Sequence, residues 1–390
     1  MNPLISANFA EIKAYICRIK KKNMRYIHQQ KNWATFSWDN NALITPLSTV
    51  RYLQGKLISK MSMLGFAFQQ EAFLETLTVD IVKTNEIEGQ FLQPEQVRSS
   101  IARQLGMEIH GLIPSDRHIE GVVQMMLDAT QNTQSPLTSE RLFDWHAALF
   151  PTGRSGMYKI AVAQWRKDEK GAMQVVSGAF GQEQVHFQAP AADRLESEMS
   201  LFLQWFNGTQ VLDPILKAGI AHLWFVTIHP FEDGNGRMAR AIADMQLSKA
   251  DGVLQRFYSM SAQIQLQRKQ YYQILEKTQK GDLDLTEWLL WFLACLNIAL
   301  QDSEVILNRV LQKARFWDKQ AKTILNQRQI MMLNKLLGVF EGKLTAAKWA
   351  KMTKSSNDTA LRDIQDLIQK KILKKEDAGG RTTNYNILFE

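Results

Sequence analysis

Apolar residues return every three or four positions along most of this chain, and a chain so patterned buries helix faces rather than strand faces. Leu43, Leu47, Val50, Leu53, Leu57 and Met61 mark one side of a long helix. Phe73, Leu74, Leu77 and Ile81 carry the period on to Thr84-Asn-Glu-Ile-Glu-Gly89, where Gly89 and then Pro94 punctuate it, and a helix over about 94–105 follows. Further helices are predicted at 142–150, through Leu195, Met199, Phe202 and Phe206, from Asp213 to about Ile228, from Arg237 to Lys249, and at 267–279 and 286–301. Asp213-Pro214 supplies an N-cap residue and a proline suited to the first helical turn.

One clear strand signal interrupts the helices. In Met173 to Phe187, two short β-prone runs flank a glycine-rich turn and read as a hairpin that Pro190 ends. A lone hairpin is marginal in water, so this one is either docked on the helices or a mobile flap. The C-terminal stretch follows another logic. Helices are expected over 327–340, 344–352 and 359–370, broken at Ser355-Ser-Asn-Asp358, then two short strands around the turn Asp377-Ala-Gly-Gly380. That order makes a winged helix-turn-helix over 325–390.

At 390 residues, two or three folding units are expected. With 45% hydrophobic and 22% charged residues the chain has the composition of an ordinary globular protein. Lysine and arginine exceed acidic residues by 47 to 39, and the resulting +8 favours acidic partners such as nucleotides, nucleic acid or acidic protein surfaces. Cys17 and Cys295 lie too far apart in sequence to suggest a disulfide framework or a cysteine metal site, which fits a reducing cytoplasm. The opening residues, with Glu11, Lys13 and a basic run from Arg18 to Lys22 after the apolar part, do not read as a secretory signal. Apolar runs such as 288–299 are shorter than the roughly 20 residues a membrane span needs, so a soluble protein without a membrane partner is expected. Met24 looks like a natural start, making 1–23 an expected extension outside the fold.

The chemistry concentrates in His229-Pro-Phe-Glu-Asp-Gly-Asn-Gly-Arg-Met-Ala-Arg240. Gly234, Asn235 and Gly236 run into a helix whose free N-terminal amides can receive an anion, and glycine lets a ligand approach the backbone closely. Arg237 and Arg240, three apart on the first turn, can clamp neighbouring phosphates. Asp233 is placed to hold a magnesium ion bridging them, and His229 at the loop mouth can accept a hydroxyl proton as a general base. Phe231 reads as the anchor of the loop in the core. A dinucleotide fingerprint over 234–239 is rejected because a helix, not a strand, precedes it and no acidic residue lies about 20 positions on. No Walker-type run occurs.

The loop matches, at every fixed position, the Fic family signature His-Pro-Phe-x-Asp/Glu-Gly-Asn-Gly/Lys-Arg-x-x-Arg, and the chain resembles that family over most of its length. The resemblance implies a mainly α, Fic-type helical bundle with a β-hairpin flap, binding ATP with Mg2+ and passing AMP to a serine, threonine or tyrosine hydroxyl of a target protein. It casts His229 as base, Asp233 as magnesium ligand, Asn235 and Gly236 as part of the anion hole with Gly234 also at the nucleotide, and Arg237 and Arg240 as phosphate clamps. The hairpin corresponds to a flap that pairs with the target, with Val185 and His186 near the nucleotide; Tyr271-Tyr272 and Gly281-Asp282 look like the adenosine side, although helix packing explains the tyrosines equally well. Trp33, Phe36 and Trp38 resemble the helical N-terminal region of one Fic subgroup. The implied layout is a helical region over 24–110, a catalytic core over 111–305 and the winged helix, with a homodimer as a further implication.

Thr84-Asn-Glu-Ile-Glu-Gly89 also resembles the inhibitory pattern Ser/Thr-x-x-x-Glu-Gly/Asn of the family, in which Glu88 pairs with Arg240 and takes it from the terminal phosphate of ATP. Asn85 and Glu88 as a simple capping box is the rival reading. Residues 343–381 hold ten basic against five acidic residues, a net +5 suited to DNA, although winged helices also pack against proteins and Asp363 and Asp366 on the third helix would dilute a phosphate contact. Removal of AMP, transfer of another phosphate-bearing group, and a DNA-binding regulator that senses nucleotide are the alternatives.

Overall fold

The computed structural model describes residues 26–107, 112–169, 171–178, 182, 184–209, 211–253, 255–338, 340, 342–376 and 383–388. The extension 1–23, Cys17, the tip of the hairpin and the turn at 377–380 lie outside the described residues.

Two long helices open the fold, α1 (Asn40–Ser62), capped by the Asp39 carboxylate, and α2 (Phe66–Ile87). Then come α3 (Pro94–Gln104), α4 (Arg117–Gln131) and α5 (Ser139–Leu149). The apolar face of α4 is plain in its sequence, with Ile119, Val122, Val123 and Met126 all buried, yet it is a helix that the reading of the sequence above does not contain. Two-residue strands β1 (Arg154–Ser155) and β2 (Tyr158–Lys159) pair, followed by the hairpin β3 (Gln174–Ser177) and β4 (Gln184–Gln188), antiparallel with a bulge between Val175 and Val176. The hairpin is docked: Phe187 is buried edge-on against Tyr26 and His28, and His28 bonds the Gln188 carbonyl at 2.8 Å.

After α6 (Leu195–Asn207), the bundle is organised around α7 (Pro214–Ile228), whose residues from Ile215 onward are all buried. A helix apolar on every side must lie at the centre of a core. It packs along α8 (Asn235–Asp251) and meets α11 (Thr286–Lys319) at Gly219, where an added Cβ would press on Leu289 and Phe292 at 3.1–3.2 Å. Helices α9 (Met260–Leu266) and α10 (Arg268–Gln279) close the bundle. At 34 residues, α11 runs well past the predicted end at 301, and by length and composition alone one 18-residue window of it could cross a membrane. The expectation that no apolar run is long enough is corrected to that extent. Trp288, Leu289, Phe292, Leu293 and Leu296 are nonetheless buried in the bundle, which accounts for its apolarity.

A second, separate core joins α12 (Gln327–Leu337), α13 (Ala346–Thr353), α14 (Asn357–Gln369) and the antiparallel pair β5 (Leu373–Lys375) and β6 (Tyr385–Ile387) around Trp349, Ile364 and Leu367. The end of α11 contributes Phe316 to it, so one helix serves both cores.

Candidate active site at the start of α8

The site begins where α7 stops. His229 caps α7 in the left-handed conformation, φ 54° and ψ 57°, which costs a non-glycine residue about 1–2 kcal/mol. The turn reverses the chain so that Pro230 to Gly234 fold back over the end of α5. Phe231 is fully buried and stacks on His146 with ring centroids 4.2 Å apart, as its role of anchor requires. Asn235 staples the loop from within: its side-chain oxygen accepts from Phe231 N at 3.0 Å and its amide donates to the Phe231 carbonyl at 2.8 Å. What Asn235 offers an anion is therefore its backbone.

Helix α8 begins at Asn235, two residues before the predicted Arg237, with Gly234 at φ 83° as its N-cap. The amides of Asn235, Gly236 and Arg237 thus all belong to the first turn, where no carbonyl within the helix can reach them. Arg237 and Arg240 line this cradle and are 1–2% exposed. Arg237 lies over the Phe150 ring and donates from Nη1 to Gln90 Oε1 at 2.8 Å. Arg240 donates from Nε to Thr84 Oγ1 at 2.6 Å, and from Nη2 to the Thr84 carbonyl at 2.9 Å and to Glu88 Oε1 at 2.6 Å. Arg237 Nε and Arg240 Nη1 are buried without a hydrogen-bond partner among the described residues. Such donors are costly to leave unmade.

Glu88 sits over the cradle. A Cβ built on Gly236 would collide with its Oε1, so the carboxylate occupies the space that a glycine leaves above the first turn. Thr84 and Asn85 lie in the last turn of α2 and Glu88 is its C-cap, which overturns the capping-box alternative, because a capping box closes the N-terminal end of a helix. Asn85 instead donates to the Ile81 carbonyl at 2.8 Å.

Burial pushes the His229 imidazole down to about 4, with Arg166 adding to the effect and Asp233 and Glu88 opposing it. Nδ1 lies 3.2 Å from the Val226 carbonyl, an acceptor only, so Nδ1 carries the proton and Nε2 keeps its lone pair. Asp233 accepts from Gly234 N at 2.6 Å and from the Ser155 hydroxyl. Its carboxylate is half-buried at the edge of the cradle.

Residues expected on the nucleotide side are placed unequally. Tyr272 is partly exposed, stacks with Arg268 and borders Ile87 near the turn at Glu88. Tyr271 is a core residue whose hydroxyl meets His222 Nε2 at 2.9 Å. His186 has both ring nitrogens engaged, with Ser177 Oγ at 2.6 Å and Glu276 Oε2 at 2.8 Å, and Val185 is half-buried beside it on β4. Four contributors escaped the sequence reading: Gln90, Ser155, His146 and Arg166. Gln90 was within reach of it, standing two positions after Glu88. The others approach the loop from 60 to 90 residues away and carry no local signal.

Two family descriptions match the chain. Residues 26–107 match a domain of unknown function, DUF4172, and residues 136–247 match the Fic/DOC family. The segment from 136 to 247 is a Fic/DOC family domain. This Fic domain contains α5, the hairpin, α7 and all but the end of α8, and so the whole 229–240 loop. A protein adenylyltransferase Fic of Nematostella vectensis is 36% identical over 98 residues, covering 24% of this chain and 21% of the relative. Another of the same name from Drosophila mojavensis is 33% identical over 114 residues, covering 28% and 22%. The chain thus spans about a fifth of the length of these curated relatives. A solved Fic family protein from Desulfovibrio desulfuricans shares the fold, with a TM-score of 0.52 at 19% identity, over 91% of this chain and 98% of that one.

Proposed function

We propose that this chain is a protein adenylyltransferase that moves AMP from ATP onto a serine, threonine or tyrosine hydroxyl of a target protein, and that Glu88 holds it in an inhibited state. The observation that carries the reading is the Glu88 carboxylate lying over Gly236 and bonded to Arg240, inside a cradle with unpaired guanidinium donors. An anion of the chain's own stands where phosphate oxygens would be received.

In the reaction, Nε2 of His229 takes the proton of the target hydroxyl as its oxygen bonds the α-phosphorus. The bond from that phosphorus to the bridging oxygen breaks and pyrophosphate leaves. Backbone amides at 235–237 and the two arginines stabilise the charge that builds on the phosphate oxygens. Asp233, a single oxygen-donor group at the cradle edge, fits magnesium, which takes one or two carboxylates and completes its shell with phosphate oxygens and water. Held there, the ion would offset phosphate charge. Val185 and His186 on the hairpin, with Tyr272, border the nucleotide side in this reading, while Tyr271 supports the wall from the core. The hairpin serves as the flap against which the target segment lies.

Incubation with labelled ATP tests this. Glu88→Gly should label itself more strongly than the natural chain, and His229→Ala in that background not at all. Equal labelling of the three sinks the mechanism, and loss of AMP from a modified target, without labelling, would favour the reverse reaction.

The proposal extends to the rest of the chain: a helical inhibitory region over 24–110, the catalytic core over 111–305 and a winged helix over 325–390, in a cytoplasmic homodimer. A second reading, a nucleotide-sensing regulator that binds DNA, is favoured by exposed Lys351, Lys354, Lys371, Lys374 and Lys375 around α13, α14 and β5. Duplex affinity of the full chain that falls with salt, and falls again in Lys351→Glu/Lys354→Glu, would support it; no binding at low salt would remove it.

A further inference from the structure

Burial of an arginine with every donor directed inward is unusual, and Arg166 is such a residue. It is 2% exposed and lies in the loop before the hairpin, 63 positions from His229. Its Nε donates to the His229 carbonyl at 2.8 Å, and its backbone N to the Pro230 carbonyl at 2.9 Å. Nη2 donates to the Pro190 carbonyl at 2.5 Å and Nη1 to Asp168 Oδ1 at 2.6 Å. Asp168 in turn accepts from Ala192 N at 2.7 Å through its other oxygen. One residue thus holds both peptides that leave the left-handed turn at His229, the first through its side chain and the second through its backbone, and its side chain also holds the segment where β4 of the hairpin ends.

We propose that Arg166 is a positioning residue, which holds the His229 turn in its left-handed form and ties the hairpin exit to the catalytic base. The physical argument is the cost of the turn. A strained non-glycine residue persists only where its surroundings over-determine it, and the carbonyls of His229 and Pro230 are both bonded by Arg166. A planar guanidinium can donate along three directions at once, whereas an ammonium on a flexible stem cannot hold the same fork. If the turn relaxes, Nδ1 loses the Val226 carbonyl that fixes the tautomer of the ring. The inference rests on the transfer reading for its kinetic consequences, though not for its structural ones.

Two measurements on the full chain in the Glu88→Gly background separate these. With labelled ATP, Arg166→Lys and Arg166→Gln should each lower kcat about ten- to a hundredfold, the loss typical of a displaced catalytic group, with KM for ATP little changed. With 15N-labelled histidine, and His229→Ala to assign the signal, His229 should be a neutral Nδ1–H tautomer in the parent protein. Arg166→Gln should mix the tautomers and move protonation of the ring to higher pH, because one positive charge is gone while Asp233 remains as the charged group facing the ring, Glu88 being already replaced in this background. Arg166→Lys, which keeps the charge, should mix the tautomers without that move. An unchanged tautomer in both variants overturns the proposal whatever the kinetics show. If no variant and no parent transfers AMP but the tautomer responds as described, the transfer reading fails and the positioning role stands.

Discussion

The loop from His229 to Arg240 and the hairpin from β3 to β4 lie in the same domain and are held in opposite ways. Phe231, Asn235, Arg237 and Arg240 are all at most 2% exposed, and the loop is closed by its own asparagine, by Arg166 and by aromatic packing. The hairpin is held by a small cluster of Phe187 and Ala189 with Tyr26, by the bond from His28 to the Gln188 carbonyl and by the His186–Glu276 pair, and Val176 is nearly half-exposed. Groups that stabilise charge must not move as the reaction proceeds, while a surface that receives another protein's chain has to yield. Under the proposed transfer, the difference in attachment follows that division of labour.

Thermal unfolding gives the largest contrast. Phe231→Ala should cost about 3–5 kcal/mol, the usual loss for a fully buried phenylalanine in a packed core. Phe187→Ala should cost clearly less, because a cluster of three buried residues can collapse around the gap. Equal losses would erase the comparison. The next effect is one of pH. With His229 at about 4 rather than 6.5, the active neutral form persists on acidification, so kcat/KM of Glu88→Gly should stay level from pH 7 to 5 and fall only as pH approaches 4. An acid limb near 6.5 would mean that the base is not the His229 imidazole. The smallest effect belongs to the hairpin link. Glu276→Gln should change stability by less than about 1 kcal/mol, as expected of a partly exposed pair, yet speed hydrogen exchange over β3 and β4 while leaving 229–240 unchanged. Faster exchange in both regions would show that they move as one.

Sequence periodicity located most helices to within a few residues, since apolar spacing is a local property of the chain. It missed α4, whose pattern was equally clear, and α9, which is short, and it ended α11 too early because the apolar run stops before the helix does. At the site, the residues of one contiguous loop were legible together with Glu88, whose local motif lies about 150 positions upstream. Tyr271 was not separable from Tyr272 in sequence, because which of two adjacent helical residues faces the core depends on what packs there.

Local spacing therefore announced a helical protein with a glycine-rich loop suited to an anion and a carboxylate motif, both set by residues near one another in the chain. Tertiary structure alone decided that Glu88 fills the space above Gly236, that Gln90 and Ser155 occupy Arg237 and Asp233, and that Arg166 holds the turn at His229. Those are contacts between segments that only the packing of the bundle brings together, and a hydrogen bond acts over about 3 Å, so no spacing along the chain could announce them.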